Sequence, residues 1–203
     1  MDIRGIFVFD SVILQQADQL GQYCRDAGIR YIVFSFLDYG TIDDIYSKIE
    51  TVRHTAGILG QYGVRVLQHN HEHDTALITD RDGKKKPIID VFLEQLSPEE
   101  LMLEVDTGWI KYAGLDPAEY IREKAERIMI LHLKDICHDF REVSRDKIFV
   151  PCGAGAVDFQ AVMDAIPADR RDSMLYVIDQ DASGGDIVDD LITGMQYLNG
   201  LHM

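Results

Sequence analysis

The stretch Gln68-His69-Asn70-His71-Glu72-His73-Asp74 directly follows the short hydrophobic run Val64–Leu67. It contains three of the chain's seven histidines, together with two carboxylates and two amides. This pattern indicates a β-strand whose C-terminal end carries ligating side chains, which is where parallel α/β proteins place their active sites. The simpler alternative is a His-rich polar loop at the surface, or an accidental metal-binding tract.

Three further hydrophobic runs end in the same way. They are residues 101–105 followed by Asp106, residues 127–131 followed by His132, and residues 174–178 followed by Asp179. A single Asp or His after a strand is usually a helix cap or a turn former. Four such ends offer two imidazoles and two carboxylates, a set suited to one divalent metal.

Composition excludes several classes of protein. With 203 residues, of which 46% are hydrophobic, the chain is expected to form one domain over residues 1–203. A net charge of −15 argues against a nucleic-acid groove. No apolar stretch reaches the about 20 residues that cross a bilayer, and Met1-Asp2-Ile3-Arg4 does not resemble a signal peptide. Three widely spaced cysteines predict no disulfide framework and a cytoplasmic location.

Six predicted strands alternate with helices, and all appear parallel. The strands are expected at residues 6–9, 31–36, 64–68, 101–105, 127–132 and 174–179. Residues 10–14 (Asp-Ser-Val-Ile-Leu) lack the Gly-rich turn of a dinucleotide-binding fold. Convergence of four polar strand ends favours a TIM-type (β/α) barrel, in which all strand ends surround one axis. Eight strands are expected of such a barrel, so this one is predicted to be incomplete.

Several segments carry a family resemblance. They are Gly63-Val-Arg-Val-Leu-Gln-His-Asn-His71, Leu103-Glu-Val-Asp-Thr-Gly-Trp109 with Gly114-Leu-Asp-Pro117, Arg127-Ile-Met-Ile-Leu-His-Leu-Lys-Asp135, Gly153-Ala-Gly-Ala-Val-Asp-Phe159 and Val177-Ile-Asp-Gln-Asp181. In their order and spacing they resemble the sugar phosphate isomerase/epimerase superfamily, the xylose-isomerase-like TIM barrels, and among these the members with an HNH signature. The resemblance covers residues 28 to 181.

The resemblance implies one divalent metal, manganese in the first place, with cobalt, magnesium and zinc as alternatives. Carried over residue by residue, its ligands are His69, Asp106, His132 and Asp179. Two positions depart from the family's usual glutamates, because His69 and Asp179 stand in their place. Both remain competent ligands. Asp74 occupies a position where relatives carry Glu, as an alternative ligand or a substrate contact.

The implied activity is that of an isomerase or epimerase acting on a small sugar, keto-sugar or sugar phosphate through a metal-stabilised enediolate. His71 is the candidate acid/base, with Asp179, Glu72 or Asp74 as the second group. His71 could instead only orient substrate, and His73 is expected to face solvent. Substrate contacts are proposed for Trp109, Lys134, Gly153 and Gly155, although Trp109 could wall the pocket and Lys134 could pair with Asp135 or a neighbour.

The position of His69 on the third strand, rather than the fifth, implies that the first two βα units of the barrel are missing. Exposed strand edges are an aggregation hazard, so a homodimer covering the open edge is expected. Closure with fewer strands, or completion by another polypeptide, are alternatives. The alternative functions are a catalytically silent or regulatory barrel and a dehydratase or lyase on the same scaffold. The acidic charge disfavours an endonuclease.

Overall fold

The computed structural model describes residues 3–8 and 10–201, and these divide into two compact units, 1–104 and 105–203. The boundary lies inside one strand, so that strand contributes residues to both units. The prediction of a single domain therefore stays a prediction. None of the described helices is long and apolar enough to span a membrane.

The first unit is a βα repeat followed by a hairpin and a short helix. Its elements are β1 Gly5–Val8, α1 Asp10–Ala27, β2 Tyr31–Phe34, α2 Ile42–Gly60, β3 Arg65–His69, β4 Leu77–Thr79, β5 Lys85–Pro87, α3 Ile88–Gln95 and the start of β6 Met102–Asp106. Strands β1, β2, β3 and β6 pair in that order, each with its neighbours in parallel. Register aligns His69 of β3 with Glu104 of β6.

The second unit continues from the end of β6. Its elements are α4 Thr107–Tyr112, α5 Pro117–Lys124, β7 Ile128–Leu133, β8 Asp135–Ile136, β9 Phe149–Val150, α6 Phe159–Ala165, β10 Leu175–Ile178 and α7 Ile187–Leu198. Strand β7 follows β6 in the sheet order, and β10 pairs with β7 in parallel. The six parallel strands predicted from the sequence are confirmed; Phe9, the expected end of the first strand, lies outside the described residues.

Helix α2 shows why the periodic segments were predictable. Its helical spacing is predicted by the apolar residues Ile45, Ile49, Val52, Ala56, Leu59 and Tyr62, of which the first five are buried. Thr41 caps the helix: its hydroxyl accepts from Asp44 N, and the Asp44 carboxylate accepts from Thr41 N in return. The positive φ of Gly63, 73°, ends the turn that leads into β3.

The sequence after the His-rich stretch predicts an irregular segment to about residue 86, but residues 77–87 contain the antiparallel hairpin β4–β5. Its turn uses Gly83 at φ 81°. The basic run Lys84-Lys85-Lys86 predicts a solvated loop, but the side chain of Lys86 is largely buried. The Lys86 ammonium lies 2.9 Å from Asp80 and 2.6 Å from Glu94 of α3. These ion pairs fix the hairpin to the helix that follows it.

Candidate functional site

The end of β3 carries a histidine oriented by a buried carboxylate. His69 Nδ1 lies 2.9 Å from Glu104 Oε1, and both side chains are buried. A carboxylate can only accept, so the proton between the two groups is assigned to Nδ1. Sequence reasoning missed Glu104. Its signal was a single carboxylate inside an otherwise apolar strand.

The loop after His69 is held by Asp74, which is fully buried. Its carboxylate accepts from Tyr39 Oη at 2.6 Å, from His71 N at 2.6 Å and from Gln68 Nε2 at 3.3 Å. Burial raises the pKa of this carboxyl, and these hydrogen bonds together with His73 oppose that rise. The structure therefore gives Asp74 a role in shaping the loop in which His71 and Glu72 lie half-buried.

The three imidazoles of this loop form a row with neighbouring aromatic rings. Ring centroids of His69 and His71 are 5.0 Å apart, and those of His71 and His73 are 5.9 Å apart. The expectation that His73 faces solvent is wrong. Its side chain is half-buried, its Nε2 lies 2.9 Å from the Leu37 carbonyl, and its ring packs against Phe36.

In the second unit, Lys134 is the centre of a carboxylate cluster. Its ammonium lies 3.0 Å from Asp106 Oδ2, 2.9 Å from Asp179 Oδ2 and 2.8 Å from Asp181 Oδ2. The side chain is only 2% exposed. Burial lowers the pKa of Lys134, but the three carboxylates outweigh it and raise that pKa above its usual range. The ion pair with Asp135 that the sequence allowed is replaced by these three.

His132 repeats the arrangement of His69. Its Nδ1 lies 3.1 Å from Asp179 Oδ2, so the proton between them is again assigned to Nδ1. Although burial raises the pKa of Asp179, its bonds to His132 and Lys134 hold that pKa well below its usual range. The second unit thus brings together three of the four residues predicted at strand ends, Asp106, His132 and Asp179, around Lys134.

The turn after β6 explains the residues that follow Asp106. Asp106 caps α4 by accepting from Trp109 N at 3.0 Å. The Thr107 hydroxyl lies 2.8 Å from the Lys134 carbonyl and accepts from Lys134 N at 3.1 Å. Gly108 leaves room for the lysine stem, since an added Cβ would lie 2.8 Å from Lys134 Cγ. The Asp-Thr-Gly motif therefore positions Lys134.

Trp109 is buried as a wall of this region. Its ring makes edge contacts with Phe149 and Tyr112, and the Lys134 ammonium lies 5.4 Å from its centroid. This packing agrees with the wall role that the sequence allowed, and a contact with substrate stays a prediction.

The glycine turn at 153–155 is organised by Asp135. The Asp135 carboxylate accepts from the backbone N–H groups of Ile136, Gly153, Gly155 and Val157 at 2.9–3.0 Å. Burial raises the pKa of this carboxyl, and the four N–H donors lower it. Because Gly153 and Gly155 donate to Asp135, their N–H groups face the protein's own carboxylate.

The cysteines are free thiols. Cys152 is buried, its Sγ donates to the Leu133 carbonyl at 3.1 Å, and burial raises its pKa to about 12. A thiol with so high a pKa is a packing residue at neutral pH.

Comparison of the sequence with curated proteins identifies relatives of this chain. An inosose dehydratase of Geobacillus kaustophilus is 30% identical over 124 residues, covering 56% of this chain and 38% of the relative. An inosose dehydratase of Clostridium botulinum (strain Alaska E43) is 25% identical over 148 residues, covering 67% and 47%. The chain thus spans less than half the length of each of these curated relatives. No family model matches it.

Solved structures show the fold. A sugar phosphate isomerase/epimerase from Parabacteroides distasonis aligns with a TM-score of 0.77 at 18% identity, over 97% of this chain and 70% of that one. The IolI protein with a bound zinc atom gives 0.70 at 15% identity, over 95% and 73%. A xylose isomerase-like TIM barrel protein from Mycobacterium smegmatis in complex with magnesium gives 0.68 at 14% identity, over 98% and 72%. The fold is therefore α/β and matches an incomplete TIM-type barrel, as predicted.

Proposed function

We propose that this chain is a metal-dependent enzyme that removes a proton next to the carbonyl of a small sugar ketone or cyclic polyol ketone. Return of the proton to the adjacent carbon gives isomerisation, and its return to the opposite face of the same carbon gives epimerisation. Loss of a hydroxyl from the adjacent carbon instead gives dehydration. The inosose dehydratases among its relatives favour dehydration. Isomerisation and epimerisation begin with the same step as dehydration, the removal of the proton next to the carbonyl.

The observation that carries the proposal is a pair of carboxylate–histidine contacts. Glu104 binds Nδ1 of His69, and Asp179 binds Nδ1 of His132. Metal-ligating histidines almost always use their second nitrogen in this way, because the partner fixes the tautomer and raises ligand basicity. We infer that Nε2 of each ring is the atom that would bind a divalent ion.

The residues present fit such an ion. His69, Asp106 and His132 stand at the ends of β3, β6 and β7, which are consecutive in the sheet order. Two imidazoles and a carboxylate suit zinc, manganese, cobalt or magnesium to different degrees, and zinc- and magnesium-bound structural neighbours agree with this range. Asp179 stays proposed as a fourth ligand, although its Oδ2 contacts with His132 and Lys134 also suit an orienting role.

When bound, the metal would polarise the substrate carbonyl and stabilise the enediolate. His71 is proposed as the acid/base because its half-buried imidazole lies beside His69. Glu72, in the same loop, or Asp179 would be the second group. Lys134 would hold the carboxylates of the second unit in place and add positive charge near an oxyanion.

The test is the metal content and proton exchange of the purified protein. Wild type is expected to hold about one divalent ion per chain, and His132→Ala to hold none. Glu104→Ala should bind the metal about 10- to 100-fold more weakly, because the orienting carboxylate is lost. Glu99→Ala, a carboxylate exposed before the same strand, is the control and should bind as wild type does.

The reaction is followed by NMR in D₂O with an inosose and with open-chain keto-sugars. Deuterium uptake next to the carbonyl, lost in His71→Ala, supports the proposal. Product analysis then separates dehydration from isomerisation. A wild-type protein that takes up no manganese, cobalt, magnesium or zinc and gains no thermal stability from them contradicts the metalloenzyme.

A further inference from the structure

The second unit contains a cavity that the proposed reaction does not use. Its volume is about 610 Å³, within the range of small-molecule sites. Residues from the β9 region and from the segment after β10 line it, among them Asp146, Lys147, Phe149, Pro151, Ser183 and Asp190. None of the residues proposed as metal ligands lines it.

Phe149 joins the cavity to the Lys134 cluster. Its ring lines the cavity, lies 5.7 Å from the ring of Trp109 and is 5.5 Å from the Lys134 ammonium. The same aromatic side chain therefore walls both places. A ligand that occupied both places would therefore lie against Phe149.

The lining suits a hydroxyl-rich ring. The carboxylates of Asp146 and Asp190, the Ser183 hydroxyl and the Lys147 ammonium can accept from or donate to hydroxyl groups. Phe149 and Pro151 offer apolar surface for the C–H face of a ring. Two carboxylates against one ammonium give the lining a net charge of −1, which disfavours a phosphorylated ligand.

The groups nearby that might bind phosphate are already engaged. The Lys134 ammonium contacts three carboxylates, and the N–H groups of Gly153 and Gly155 donate to Asp135. Releasing any of these donors would leave a buried carboxylate without one of its partners, which is unfavourable. An uncharged ligand needs no such release.

We propose that this cavity is a second carbohydrate subsite, which holds an uncharged, hydroxyl-rich ring attached to the ring that reacts. The substrate is then larger than a monosaccharide, a glycoside or another two-ring sugar ketone without phosphate. The inference rests on the proposed function for the reacting ring, but the subsite itself can be tested without turnover.

The experiment uses the full chain labelled with ¹⁵N, with the disaccharide trehalose as probe and inorganic phosphate as its anionic counterpart. Trehalose is expected to shift the amide signals of Gly184 and Gly185, which line the cavity. The double variant Asp146→Ala, Asp190→Ala should bind it about tenfold or more weakly, as expected when hydrogen bonds to charged acceptors are removed. Its metal content should equal that of wild type.

The matched control is Asp169→Ala, Asp189→Ala, which removes two exposed carboxylates of the same unit outside the cavity lining. It should bind trehalose as wild type does. Absence of shifts at Gly184 and Gly185, or stronger shifts with phosphate than with trehalose, overturns the subsite. Trehalose binding by a protein that holds no metal leaves the subsite standing and refutes the proposed function.

Discussion

At the scale of single residues, the site is built from side chains that position other side chains. Glu104 orients His69, Asp179 orients His132, and Asp135 gathers the glycine turn. The sequence revealed the residues at strand ends, because a polar residue after an apolar run stands out. It did not reveal Glu104, because a carboxylate within a strand reads as an outward-facing residue until the strand is known to be buried on both faces.

Gly108 is the residue whose substitution tests the placement of Lys134. In Gly108→Ala, the new Cβ would lie 2.8 Å from Cγ and 3.1 Å from Cδ of the lysine stem, so the ammonium must move away from its carboxylates. We expect a loss of stability of about 1–3 kcal/mol, the usual cost of inserting a methyl group into a packed interior. Chemical denaturation monitored by circular dichroism measures it.

Gly57→Ala in α2 is the control, because a Cβ there meets no atom within 4 Å. It should be neutral or stabilising by roughly 0.5–1 kcal/mol, since alanine favours a helix interior. A Gly108→Ala protein as stable as wild type would mean that Lys134 is not confined as the structure shows.

At the scale of elements, local chemistry decided which predictions held. The sequence predicts a short helix at residues 88–95 and helix caps at Thr41 and Asp158, and the structure has all three. The hairpins β4–β5 and β8–β9 and the helix α4 were missed. Their strands are two or three residues long, too short for an alternating pattern, and tertiary contacts such as Lys86 with Glu94 hold them.

The capping box of α2 provides a prediction at this scale. Thr41→Ala removes the acceptor of Asp44 N and is expected to destabilise the protein by about 1 kcal/mol. Hydrogen bonds from the Thr41 backbone and hydroxyl lower the pKa of Asp44. A carboxyl with a lowered folded-state pKa stabilises above its ordinary pKa, and that contribution disappears as the pH falls through the folded-state value.

The difference in melting temperature between wild type and Thr41→Ala should therefore be present at neutral pH and shrink once Asp44 is protonated in acid. Ser47→Ala, on the same helix but outside the cap, should show neither effect beyond the small change of a surface substitution. If the difference in melting temperature does not vary with pH, the stabilisation by the Thr41 hydroxyl is independent of the ionisation of Asp44. That result would contradict the reciprocal cap.

At the scale of the whole molecule, the order of the strands leaves two at the ends of the sheet. Strands β1 and β10 each have one neighbour in that order. Exposed apolar residues lie there: Phe7 in β1 and Val177 in β10. Helix α7, which follows β10, exposes Val188, Ile192 and Met195 at helical spacing. The strand count and parallel order could be predicted, but what covers these surfaces depends on a partner that the sequence does not identify.

The sequence predicts a homodimer that covers the open edge of the barrel; from the exposed side chains of α7 we expect a second copy of this chain to cover that helix face. Val188, Ile192 and Met195 are 57%, 43% and 47% exposed, and their burial in a dimer would favour association by the hydrophobic effect. Each copy carries a net charge of −15, so electrostatic repulsion opposes association, and added salt should strengthen the association by screening that repulsion.

Sedimentation velocity is expected to give a dimer for wild type and a monomer for Ile192→Glu. Thr193→Glu adds the same charge one residue along the helix and should remain dimeric. A monomeric wild type at every salt concentration contradicts the dimer, and a dimer that Ile192→Glu leaves intact must use another surface.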